Sequence, residues 1–153
     1  MKMLKIFLIS ILVTSCERVA MDKDYPLFLK NQSNHSVRTI INQGGKFGLH
    51  YPDTSLPEVS DRISIEILPG SKNAVAGGDV TWAQIFASQF PLDTLSFFVL
   101  HSDTVSKFIW NDIKSDYKIL KRYDVSLTDL EKLNYTLTYP PDSTMRGIKM
   151  YPK

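Results

Sequence analysis

Three histidines, one cysteine and twelve aspartates are the residues of this chain best suited to chemistry. His35, His50 and His101 lie far apart in sequence. None stands four residues from another and none neighbours the cysteine, so the helical zinc pair and the Cys/His knuckle are both missing. His101-Ser102-Asp103 would put an imidazole and a carboxylate on one side of a continuing strand. Such a pair could share a ligand or orient a base. The simpler reading has His101 ending a buried strand and Asp103 opening the next turn, and no metal site is expected. No Gly-x-Ser-x-Gly elbow occurs, and a serine–histidine–carboxylate triad cannot be assigned from spacing alone. The aspartates Asp53, Asp79, Asp93, Asp103 and Asp142 sit beside Pro, Gly, Ser or Leu in turn-like settings. Asx turns and helix caps explain them better than a carboxylate pair for acid–base work. Gly44-Gly45-Lys46-Phe47-Gly48 matches neither glycine-rich phosphate pattern. No catalytic residue and no cofactor is assigned.

The cysteine is placed more tellingly. Lys2 and Lys5 precede the apolar run Ile6–Val13, which ends in Thr14-Ser15-Cys16. Eight helical residues rise about 12 Å, too little for a hydrocarbon core of about 30 Å. A basic start and a short apolar stretch instead form an export signal. The small residues before Cys16 resemble the lipobox of bacterial lipoproteins. The resemblance implies cleavage after residue 15 and diacylation of the Cys16 sulfur. Each buried acyl CH₂ contributes about 0.8 kcal/mol, so two or three chains suffice to hold a domain at a membrane.

The full chain of 153 residues carries 18 Lys+Arg and 16 Asp+Glu. Loss of residues 1–15 removes two lysines and no acid, which leaves a neutral chain. That lacks the basic excess needed for nucleic acid. A single cysteine excludes a disulfide framework. Residues 16–25 mix charges without a period and read as a tether, and 26–153 is the length of one domain.

Those 128 residues read mainly as strands. Ser36–Ile41 is β-prone, and Asn42-Gln43-Gly44-Gly45 follows as a turn. Arg62–Ile67 alternates, with Ile63, Ile65 and Ile67 expected on one face. Leu95–Leu100 is apolar almost throughout and predicts a central strand buried on both sides. Helices are predicted over Val80–Ser88 with Asp79 as cap, over Val105–Ser115, and after Ser126. The last has a capping box, Ser126 with Asp129, a stripe of Leu127, Leu130 and Leu133, and Asn134 as its stop. Tyr135–Tyr139 alternates again before Pro140-Pro141 ends it. The fold class expected is mainly β, a mostly antiparallel β-sandwich-like domain with a few short helices.

The segments Trp110-Asn111-Asp112-Ile113, Tyr117–Asp124, Leu127–Tyr135, Thr138–Pro141 and Ile148–Pro152 together resemble a group of small exported proteins and lipoproteins of gut Bacteroidota. The resemblance spans about residues 50–152 and implies a source and a location, but no activity. It also implies a modification. Asp93-Thr94-Leu95, Asp103-Thr104-Val105 and Asp142-Ser143-Thr144 are similar to the Asp-Ser/Thr sites of O-glycosylation in that phylum, so Thr94, Thr104 and Ser143 are candidate acceptors.

The aromatic residues complete the reading. Trp82 and Trp110 are expected in the core, whereas Tyr117, Tyr123 and Tyr139 suit either the core or a platform for a sugar, peptide or protein. The function expected is a lipid-anchored envelope protein, at the outer membrane, with a non-catalytic domain that binds an envelope protein or glycan. The alternative is a small envelope hydrolase built on His101 and Asp103.

Overall fold

The computed structural model of the chain describes residues 25–42, 51–58, 60 and 63–152. The signal segment 1–15, Cys16, the tether as far as residue 24, residues 43–45 of the expected turn and His50 lie outside the described residues. The strands are β1 (Leu27–Asn31), β2 (Val37–Ile41), β3 (Lys72–Ala76), β4 (Leu95–His101), β5 (Lys121–Val125), β6 (Thr136–Tyr139) and β7 (Lys149–Tyr151). The helices are α1 (Trp82–Gln89), α2 (Ser102–Lys107), α3 (Trp110–Ser115) and α4 (Leu127–Lys132). Two sheets form, ordered β3-β1-β6 and β2-β4-β5-β7. All pairs are antiparallel except β1 with β6. The architecture is mainly β and sandwich-like, as the sequence predicts.

Strand β4 explains the layering. Leu95, Phe97 and Val99 point into the core between the sheets, with Leu27 and Leu29 of β1, Tyr123 and Val125 of β5 and Leu137 of β6. Phe98 and Leu100 point the other way, into a second core with Ile40, Leu56 and Ile113. A strand buried on both faces favours apolar residues on both, with Ser96 satisfied by Asp124, which is why its sequence does not alternate. Helices α1 and α4 close the first core through Trp82, Phe86 and Leu130. The second core is roofed by α3, residues 51–58 and Ile63.

Three local readings are corrected. Residues 63–66 do not form a strand, and only Ile67 bridges to Val37. The Val37–Ile67 pair exchanges both backbone bonds, but Thr39 next pairs with Ser64, not Ile65. Ser64 N–H donates to Thr39 O at 2.7 Å, while Thr39 N–H donates to the Ser64 Oγ at 2.8 Å. The hydroxyl replaces a carbonyl and leaves one extra residue, a bulge that flips the pattern. Ile65 is 67% exposed while Ile67 is buried.

The helix predicted over 105–115 is two helices. Side-chain acceptance by His101 starts α2 at Ser102, and Phe108 and Ile109 lie exposed at the break. Val105 and Trp110 both pack on the second core. In one straight helix, five residues would place them about 140° apart, so the break brings both inward. Helix α1 starts two residues later than predicted, because Thr81 with Gln84 makes the capping box in place of Asp79. The capping box at Ser126 and the left-handed Asn134 (φ 46°) form as predicted.

Tyr123 ties the sheets together. Its hydroxyl, from β5, donates to Thr138 O of β6 at 2.8 Å, and the residue is wholly buried. Tyr123→Phe would leave that carbonyl buried without a donor, so a loss of about 1–2 kcal/mol is expected from urea unfolding, with the fold kept.

Candidate functional site

The second core carries the most developed surface. On its side of the four-stranded sheet, register pairs Phe98 with Arg122, Arg122 with Tyr151, Ser96 with Asp124 and Asp124 with Lys149. Alternation therefore separates neighbours: Tyr123 goes to the inter-sheet core, and Arg122 and Asp124 to the opposite face. The Arg122 Nε lies 3.1 Å from Asp124 Oδ1, which also accepts from Ser96 Oγ at 2.9 Å.

Tyr117 organises this face. Its left-handed backbone (φ 52°) turns the ring back over the sheet, edge-on to Phe98 and tilted against Tyr151 at 6.0 Å. Its hydroxyl donates to Thr54 O at 2.9 Å and accepts from Arg122 Nη1 at 2.8 Å. Burial opposes the Arg122 charge, but the Tyr117 hydroxyl and the Asp124 carboxylate outweigh it and raise its pKa. The guanidinium also lies 5.3 Å from the centre of the Tyr151 ring, which is half exposed. Beyond it, Lys149 covers the Tyr51 ring at 4.6 Å and donates to the Tyr51 hydroxyl.

Beside Tyr117 opens a depression of about 580 Å³, lined by Thr54, Ser55, Glu58, Asn111, Lys114 and Ser115 among others. Lys114 pairs with Glu58 across it. The Trp110 indole N–H donates to Pro57 O at 2.9 Å and fastens the rim. The volume is that of a small-ligand site, and its hydroxyls, amide, ammonium and carboxylate lie beside a tyrosine.

A second cluster lies at one end of the inter-sheet core. His35, in the turn between β1 and β2, stacks on His101 with ring centres 4.6 Å apart and planes within 12°. Tyr139 meets His35 edge-on at 6.0 Å. His101 Nδ1 accepts from the Asp103 N–H at 3.1 Å, so the neutral ring carries its proton on Nε2. Asn34 Oδ1, 3.1 Å from His35 Nδ1, assigns that ring's proton to Nδ1. The His35 Nε2 is left buried without a partner. Burial first, then the charge of His101, holds the His35 imidazole below its usual range.

His101 therefore ends the buried strand, as the simpler reading of the sequence has it, and the alternative pairing with Asp103 does not form. The strand stops at His101, and the Asp103 carboxylate turns to Lys107 at 2.7 Å, which lowers its pKa. His101 meets a histidine from another element, and its Nδ1 lone pair is spent on a backbone amide. Among the described residues no three His, Cys, Asp or Glu side chains gather to hold a metal.

The tyrosines divide. Tyr123 and Tyr139 are buried, whereas Tyr117 is half-buried at the face just described. Trp82 is in the core and Trp110 at its edge. Of the glycosylation candidates, Ser143 is exposed and Thr94 and Thr104 are half-buried. Asp53 and Asp142 make the Asx turns expected of them. Sequence reasoning missed Arg122, Lys114, Glu58 and Asn111, and did not pair His35 with His101. A polar turn residue or surface charge has no spacing signal, since each is recruited across the fold.

No family model, curated protein or solved structure matches this chain.

Tyr117→Phe should leave the Thr54 carbonyl and the Arg122 guanidinium each short of a partner. A loss of about 1–3 kcal/mol is expected, together with faster amide exchange at Ser55, whose N–H donates to Asp53 Oδ1 beside Thr54. Unchanged exchange there would show that the hydroxyl does not hold the rim.

Proposed function

We propose that this chain is a lipid-anchored protein of the bacterial cell envelope, held at the outer membrane through Cys16, whose β domain binds an envelope glycan at the Tyr117 face. The observation that carries the anchor is the run Leu12-Val13-Thr14-Ser15 before the lone cysteine, with the domain beginning ten residues further on. Ten residues span about 35 Å at most, so an acylated Cys16 would keep the domain close to the lipid surface.

The point of entry is firmly fixed, which supports this reading. Tyr25 N–H donates to Gly78 O at 3.2 Å, and the Trp82 indole donates to Tyr25 O at 2.9 Å. Gly77 (φ +147°) lets the two segments touch, since a Cβ there would lie 2.8 Å from Pro26 Cα. A pull on the tether would thus be borne by the folded core.

Binding, and not reaction, fits a depression whose lysine and glutamate are paired with each other and whose tyrosine hydroxyl is already engaged at both donor and acceptor. A sugar fits better than an apolar ligand, because hydroxyls and an amide alternate with an aromatic edge. A protein partner is the second occupant considered, and the exposed Tyr151 beside Arg122 is what favours it. Ser143, exposed on a turn, is the best placed of the three proposed glycan acceptors.

Palmitate labelling and membrane fractionation test the anchor. Wild type should be labelled and pelleted, and Cys16→Ala should be neither. An unlabelled, unpelleted wild type overturns it. The binding half is tested separately, by titrating purified envelope polysaccharide into labelled protein and following amide shifts. Shifts should centre on Asn111, Lys114 and Tyr117, and Asn111→Ala should weaken binding about fivefold for one lost hydrogen bond. Saturating polysaccharide with no shift at those residues overturns the glycan reading.

A further inference from the structure

We propose that the stacked His35–His101 pair is a pH-sensitive clasp that holds the turn joining the two sheets and releases it in mild acid. The pair sits where such a device has leverage. β1 belongs to one sheet and β2 to the other, so residues 32–36 are the hinge between them. His101 ends β4, and its register partner is Val37, the first residue after that hinge.

Apart from the rings, the hinge is held by neutral bonds. Asn31 Nδ2 donates to His35 O at 2.8 Å and to Ile67 O at 3.0 Å. Asn31 Oδ1 accepts from the Ser33 N–H at 3.0 Å and from its hydroxyl. Ser102 N–H donates to Ser36 O at 3.1 Å. None of these titrates near neutrality, so the histidines are the only members of the hinge that acid can change.

Each protonation works against the clasp. A proton on His101 Nδ1 removes the acceptor that caps α2 at the Asp103 N–H. A proton on His35 Nε2 places a charge on a buried atom that has no acceptor. The second proton also puts two cations face to face at 4.6 Å. Few neighbours compensate. From α2, Asp103 faces His101 but is paired with Lys107. From β6, Tyr139 stays neutral, because burial raises its pKa. From β2, Arg38 turns to the opposite face and donates to Ser64 O.

The sign follows from His35. Its imidazole titrates lower in the folded chain than in the unfolded one. The stabilisation is therefore complete above about pH 6.5, the unfolded value. It falls away as the pH drops from there toward the folded value. This inference does not depend on the lipid anchor or on the glycan.

Long-range ¹H–¹⁵N spectra of the full chain in detergent micelles, from pH 8 to 5, read the rings directly. The proposal expects protons on His35 Nδ1 and His101 Nε2 at pH 8, with the His35 ring taking up its second proton only below its ordinary range. Protection factors at Ser33, Val37 and Ser102, taken relative to the base-catalysed intrinsic rate, should fall in wild type as the pH drops below about 6.5. His101→Asn keeps an acceptor for the Asp103 amide, and His35→Gln keeps a polar ring-sized group in the turn. In either variant the hinge protection factors, which are corrected for the base-catalysed intrinsic rate, should lose their pH dependence. A His35 ring that titrates in its ordinary range, or hinge protection factors that vary with pH equally in wild type and both variants, would overturn the clasp.

Discussion

Burial of β4 on both faces is the constraint on which the rest of this domain depends. Its odd-numbered side chains complete the core between the sheets, and its even-numbered ones found a second core beneath α3. Neither core exists without it. A central strand of this kind leaves no solvent face for chemistry, so function moves to the ends and edges of the sheet. Both polar clusters lie there: the histidine pair at the end of β4, and the Tyr117 face toward β5 and β7.

Strand alternation then decides which side chains meet. The segment Arg122-Tyr123-Asp124 sends one phenol into the inter-sheet core and an ion pair to the opposite face. Tyr117 is recruited to that face by a left-handed backbone. The buried ion pair need not add stability, because desolvation offsets much of its Coulomb attraction. It holds Arg122 where the Tyr117 hydroxyl can accept from it, and Tyr117 in turn holds residues 54–58 over the second core. The rim of the depression is thus fixed by a chain of contacts that starts at Ser96.

Much of the fold could be read from the residues, for reasons that also explain the failures. Leu95–Leu100 was legible because burial on both faces favours apolar residues at five of its six positions. Ser126 with Asp129 was legible because a capping box is local. The segment 63–67 has a strand's alternation, but Ser64 offers a hydroxyl where the ladder needs a carbonyl, and no period reveals that. Strand β1 hid beside the tether, and β3, as Lys-Asn-Ala-Val-Ala, has little pattern of its own. The sites were less legible still. His101 invited pairing with Asp103, two residues away, but its true neighbour comes from residue 35. Lys114 and Glu58 are 56 residues apart. Such pairings are made by topology, which composition and spacing do not encode.

The position of β1 has a consequence for the order in which the molecule can be made. The first strand of the domain lies in the middle of its sheet, between β3 and β6. Its parallel partner is contributed only by residues 136–139, and Met145 then joins the same core. A chain synthesised from its N-terminus therefore holds Leu27 and Leu29 unsheltered until nearly every residue has been added. Such long-range closure is slow. The topology itself postpones the compact state until the last strand of the three-stranded sheet has been added.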